Sequence, residues 1–149
     1  MSGLSRLRAA AVCALMLTVL INLPGCAPEG PAFVDANNSY DQTSITKLVE
    51  SVDTTQLAGT PSAKSIDLRN EALTSLRSKG GRAVAVADLL TKTFSAETRG
   101  VPVYFERATF NGKAAVVVVE AAGPRDGNLT AKRVWVLDEQ GAVLYMGSL

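Results

Sequence analysis

Two kinds of hydrophobic pattern divide the chain. Near its start an unbroken apolar run, Ala9 to Ile21 (AAAVCALMLTVLI), carries no charge and has Thr18 as its single hydroxyl. Further on the apolar positions become periodic. Ile45, Leu48, Val49 and Val52 fall at i, i+3, i+4 and i+7, which predicts a helix from Ser44 to Asp53. Thr54 to Ala63, with Gly59 and Pro61, reads as a loop. Leu68, Ala72 and Leu76, with Leu73 beside them, predict a second helix from Ser65 or Ile66 to Lys79, stopped by Gly80-Gly81. Ala83, Val86, Ala87, Leu90 and Phe94 share a stripe over Arg82 to Phe94. That predicts a third helix, whose opening AVAV also has strand character.

The last third reads as sheet. Val101 to Phe110 and Lys113 to Ala121 flank Asn111-Gly112, a strong hairpin signal. Thr130 to Leu137 and Ala142 to Gly147 flank Asp138 to Gly141, which suits a type I turn followed by a glycine bulge. The expected fold is α+β: two or three N-terminal helices packed on a four-stranded antiparallel meander. A two-residue turn at Asn111-Gly112 sets Phe110 opposite Lys113. Tyr104, Glu106 and Ala108 then share a face with Val119, Val117 and Ala115. Val103, Phe105 and Arg107 share the other with Glu120, Val118 and Val116. A three-residue loop in the second hairpin groups Trp135, Leu137, Val143 and Tyr145 against Val134, Val136, Leu144 and Met146. Both faces are apolar in the middle, whereas an antiparallel sheet with one wet face alternates. Three covers fit the second face: the N-terminal helix or a returning segment with Phe33 and Tyr40, a partner protein, or an apolar ligand.

The leading run has a different meaning. As a helix it reaches about 20 Å, short of the ~30 Å hydrocarbon core of a bilayer. Arg6 and Arg8 precede it, and Asn22, Pro24 and Gly25 end it, the pattern of a secretory signal peptide. Its exit, Leu23-Pro24-Gly25-Cys26, resembles the lipobox of bacterial lipoproteins, with Pro24 a departure from the residues usual there. The resemblance implies that Cys26 receives a diacylglyceryl group and becomes the first residue of the mature chain, its amino group open to an acyl chain such as palmitate. It implies a lipid-anchored protein of the bacterial cell membrane, facing the extracytoplasmic side. It covers Met1 to Cys26 and carries nothing about the domain beyond. The organisation that follows is a signal peptide over 1–25, a lipidated flexible tether over 26–42, rich in Pro, Gly, Asn and Asp, and a single α+β domain over 43–149.

Composition narrows the chemistry. The chain has no histidine, so Ser-His-Asp and Cys-His catalysis and imidazole metal sites are excluded. Cys13 leaves with the signal, and Cys26 alone cannot form an internal disulfide. Without Arg6 and Arg8 the charge is near balance, so there is no footprint for nucleic acid. Glycine patterns for nucleotides are absent. Glu106 and Glu120 sit on neighbouring strands but, in this register, on opposite faces, and Glu106 and Arg107 read as charges guarding a sheet edge. The expectation is therefore a non-enzymatic interaction or binding module with no catalytic, cofactor or metal residues. Cys26 is the one site residue. The membrane, through the anchor, and another envelope protein are its expected partners. The alternative is a carrier holding a lipid or other apolar ligand between sheet and helices.

Overall fold

In the computed structural model, which describes residues 30–149, the chain joins the sheet before it forms any helix. Strand β1 (Ala32–Val34) and strand β2 (Ser39–Tyr40) precede helix α1 (Gln42–Ser51). Two 3-10 turns lead to α2 (Ser65–Ser78) and α3 (Gly81–Thr93). Then come β3 (Val101–Phe110), β4 (Lys113–Ala122), β5 (Ala131–Leu137) and β6 (Val143–Ser148). The α+β class holds, with three helices on a mixed, six-stranded sheet among the described residues.

The finer expectation needs correcting. The sheet is not a four-stranded antiparallel meander, because β1 and β2 both pair in parallel with β3, nor are the helices N-terminal to every strand. Residues 32–34 and 39–40, read as flexible tether, are edge strands, and Gln42 already belongs to α1. The reason is visible in the side chains. Phe33 packs with the cluster on one face and Tyr40 with the cluster on the other, so burying them offsets the cost of ordering a turn-rich segment. Four residues, Asp35 to Asn38, pass only two on β3, and Asn37 turns the chain at φ 51°. The segment before residue 30, with the signal run and Cys26, lies outside the described residues.

Local chemistry sets the element ends. Asp41 caps α1: its carboxylate accepts the Ser44 backbone N–H at 2.7 Å, and Ser44 Oγ accepts the Asp41 N–H at 2.8 Å. At the other end Lys132 Nζ donates to the carbonyls of Val49, Glu50 and Val52. Asn111 and Gly112 both have positive φ, the two-residue turn that fits a twisted hairpin. It sets Phe110 opposite Lys113 and Glu106 opposite Val117, as the pattern predicts.

Two bulges shift what lies beyond them. Around Val103 the register slips, so Pro102 opposes Glu120 and Val103 packs on the α1 side. At Leu144 a second slip sets Tyr145 opposite Val136 and Met146 opposite Trp135, which moves Tyr145 to the α1 side. An extra residue on one strand reverses the parity of everything after it.

Both apolar faces are covered from within. Ile45 and Val49 of α1 close one core over Val117, Val119, Val134 and Val136. Leu73, Leu76, Val86, Ala87 and Leu90 of α2 and α3 close the other over Phe105, Val116, Val118 and Leu137. Among the described residues, these two clusters fill both faces of the sheet.

Candidate functional site

Three features stand out from this packing: two buried glutamates, a cleft beside α3, and one open sheet edge. The glutamates do different work on opposite faces. Glu120 is fully buried beneath α2. Its Oε1 accepts Arg69 Nη1 at 2.6 Å. Its Oε2 accepts Arg133 Nε and Nη2 and Trp135 Nε1 at 2.9–3.1 Å. Arg69 also donates to the Gly100 carbonyl and lies over the Phe94 ring, which meets Trp135 edge-on at 5.1 Å. A Cβ on Gly100 would overlap the Glu120 carboxylate. Four donors, one on Oε1 and three on Oε2, and two guanidiniums engage this carboxylate, which ties α2 to the sheet.

Glu106 is equally buried and, among the described residues, has no guanidinium or ammonium on it. Asn38 Nδ2 donates to Oε1 at 2.7 Å, and the hydroxyls of Tyr40 and Tyr104 both donate to Oε2 at 2.8 Å. Burial, then the hydrogen bond to Glu106 and its charge, push the Tyr40 phenol up to about 12. The same causes raise Tyr104. Glu106 is therefore not an edge guard as expected. Its edge is already paired, with Val34 of β1 beside it.

Arg107, the next residue, faces the α3 side. There Arg107 and Arg82 grip the two oxygens of Asp35 at 3.2 and 2.8 Å. The hydrogen bond from Arg82 leads in holding the Asp35 carboxyl below its ordinary value. These guanidiniums stand at a cleft of about 430 Å³ between α3 and the sheet, floored by Ala85, Val86, Leu89 and Val116, with Lys92 and Glu139 on its walls.

The third feature is β6. Among the described residues only β5 pairs with it and its other side is open, whereas the opposite border of the sheet is taken by β1 and β2. Leu149 and Lys132 exchange both backbone hydrogen bonds, at 2.9 and 3.0 Å. Alternation along the ladder then points the backbone groups of Ser148 and Met146 outward. Among the described residues the exposed large hydrophobics are Val143, Met146 and Leu149, at 51, 53 and 52% exposure, all in or next to this strand. No charged residue and no proline interrupts Ala142 to Leu149. Charges, proline and covering elements are the usual protections of such an edge, and none is present in this stretch.

Sequence reasoning placed Cys26 alone as a site, and it lies outside the described residues. It missed the Asp35–Arg82–Arg107 junction, because Asp35 was assigned to the tether. The signal was the apolar pair Phe33-Val34 just before it. It also missed the open edge, although the uncharged final stretch was legible. Among the described residues no group of three or more His, Cys, Asp or Glu could hold a metal ion, and no helix is long and apolar enough to cross a membrane. Compared with protein-family models, curated proteins and solved structures, the chain matches none.

Proposed function

We propose that this chain is a lipid-anchored protein of the bacterial cell envelope, held through Cys26 on the extracytoplasmic side. Its α+β domain is a non-enzymatic interaction module that docks through β6. One observation carries the docking reading: the exposed large hydrophobics gather on a single open, uncharged edge strand. An extended, uncharged segment of another envelope protein adds there as a further strand, its backbone paired with Met146 and Ser148 and its apolar side chains over Val143 and Met146. The anchor rests on the lipobox, Leu23 to Cys26. Two or more acyl chains at ~0.8 kcal/mol per buried CH₂ hold a protein firmly on a bilayer.

The test has two arms. Intact mass of protein from native membranes should begin at Cys26 with added acyl mass, and Cys26→Ala should stay unprocessed. An unmodified, freely secreted chain removes the anchor from the account. Amide exchange over β6 should be slow in native membranes and fast in purified protein, with Met146→Lys fast in both. Equal rates in the two settings remove the docking edge.

A second reading, a carrier of an apolar ligand, is favoured by the cleft between α3 and the sheet, which has an apolar floor and about 430 Å³ of space.

A further inference from the structure

The chain's own Asp35 occupies a position that a ligand could take. We infer that the cleft between α3 and the sheet binds a small amphiphilic carboxylate, with its head on Arg82 and Arg107 and its apolar body along Leu89 and Val116. In the free protein Asp35 stands in for that head.

Two arginines from distant parts of the chain, 82 on α3 and 107 on β3, converge on one carboxylate and take one oxygen each. Guanidinium pairs of this kind recognise carboxylates through charge-assisted hydrogen bonds. Arg82, Lys92 and Arg107 in the lining are matched in number by Asp88, Glu139 and Asp35, but Asp88 is engaged by Arg77 from outside the lining. Arg82 and Arg107 share this single aspartate, and Lys92 in the cleft wall makes no ion pair among the described residues. Glu139 also lines the cleft. The positive end of α3 adds to the field. Among the described residues α3 begins without a side-chain cap and without an acidic residue in its first turn, where Arg82 sits.

The rest of the cleft explains why the ligand is an amphiphile and not a bare anion. Ala85, Val86, Leu89 and Val116 give it an apolar floor continuous with the Arg107 position, since Arg107 and Val116 are cross-strand partners. Asp35 is attached to a chain reversal and brings only a carboxylate to the two arginines; of the apolar lining, Val86 and Val116 are buried while Ala85 and Leu89 stay accessible. A ligand with a carboxylate head and a short alkyl body satisfies the same arginines and covers the floor as well. Its binding displaces Asp35, so the Asp35–Asn38 turn is the element that yields.

The inference rests on the carrier reading and not on the docking of β6. The full chain is titrated with hexanoate, hexanol and acetate, followed by NMR shifts of Leu89 and Val116 methyls. Hexanoate is expected to bind at least tenfold more tightly than hexanol or acetate. Asp35→Asn should tighten hexanoate about tenfold. Arg82→Gln should weaken it about tenfold, and so should Arg107→Gln. Arg82 is mostly exposed, so its substitution leaves the fold intact if Arg107→Gln does not. Equal binding of hexanol and hexanoate overturns the anion assignment while leaving a carrier. Binding of none of the three overturns both. Hexanoate binding that ignores Arg82→Gln and Asp35→Asn also overturns the assignment.

Discussion

Glu106 and Arg107 are neighbours on β3, and they hold the same preceding segment from opposite faces of the sheet. Glu106 accepts hydrogen bonds from Asn38 and Tyr40 on the α1 side, while Arg107 meets Asp35 on the α3 side. The alternation of a β-strand places the two groups back to back. Between them the chain from Asp35 to Tyr40 is fixed by ion pair and hydrogen bond as well as by strand pairing. Backbone bonds from Thr109 N to Asn38 O and from Asn111 N to Tyr40 O complete the hold.

The alkaline titration of Tyr40 reports the Glu106 side of this hold. Its phenol is pushed up to about 12, first by burial and then by Glu106. A raised phenol pKa favours the folded state fully below the unfolded value near 10, and the contribution is lost as pH rises toward 12. Stability should therefore fall over that window. Glu106→Gln should bring the Tyr40 titration, read by phenolate absorbance, down toward 10 without reaching it, since burial remains. No change on Glu106→Gln would separate the shift from this carboxylate.

Asp35 reports the other side. Its carboxyl is held low, so its contribution to stability is present above the ordinary value of 3.8 and is lost as pH falls through the lower folded value. Amide exchange across residues 32–40 should quicken in that acid range sooner than exchange across β4. Asp35→Asn should make it fast at neutral pH as well, with the two cores unaffected.

Gly100 and Glu120 form a coupled pair. Glu120→Ala leaves the buried Arg69 without its carboxylate and should cost about 3–5 kcal/mol in denaturant unfolding. Gly100→Ala forces a methyl group into the Glu120 carboxylate and should cost about 1–3 kcal/mol. The double variant should cost clearly less than the two single costs together, because the collision needs both partners. Strict additivity would contradict the proposed clash.

Much of this fold could be read from the chain, for physical reasons that differ by element. The stripe from Ile45 to Val52 and the Asn111-Gly112 turn are local signals, and both are where the pattern puts them. Val103 and Leu144 were not legible, because a bulge leaves the run of apolar residues unchanged while reversing which face each later residue meets. Glu106 was misread for a different reason: a charged residue looks like an edge guard until its neighbours are known. Its three donors lie at 38, 40 and 104, two of them more than 60 positions away in the sequence. The cover of the second face was among the weighed possibilities, and α1 with Tyr40 supplies it. The reading of Cys26 rests on the lipobox alone and lies outside the described residues.

An acidic cap offers a smaller check on the same reading. Asp41→Ala removes the carboxylate that accepts the Ser44 N–H and should destabilise the fold, seen as a lower unfolding midpoint. Because α1 closes one face of the sheet, that loss should also speed amide exchange in the Val117–Val119 region. A change confined to α1 would mean that the helix frays without opening the core.

The docking of a partner strand on β6 is tested most directly by a photo-crosslinking residue placed at Met146 in the full chain, in native membranes, with a matched probe at the exposed Asp88. The expected result is a protein adduct from position 146 and none from position 88. The crosslinked peptide should be an extended, uncharged segment of another envelope protein, and Val143→Lys should abolish the adduct. An adduct to a second copy of this chain would replace the partner with self-pairing. No adduct at 146, or the same adduct from both positions, would contradict the account.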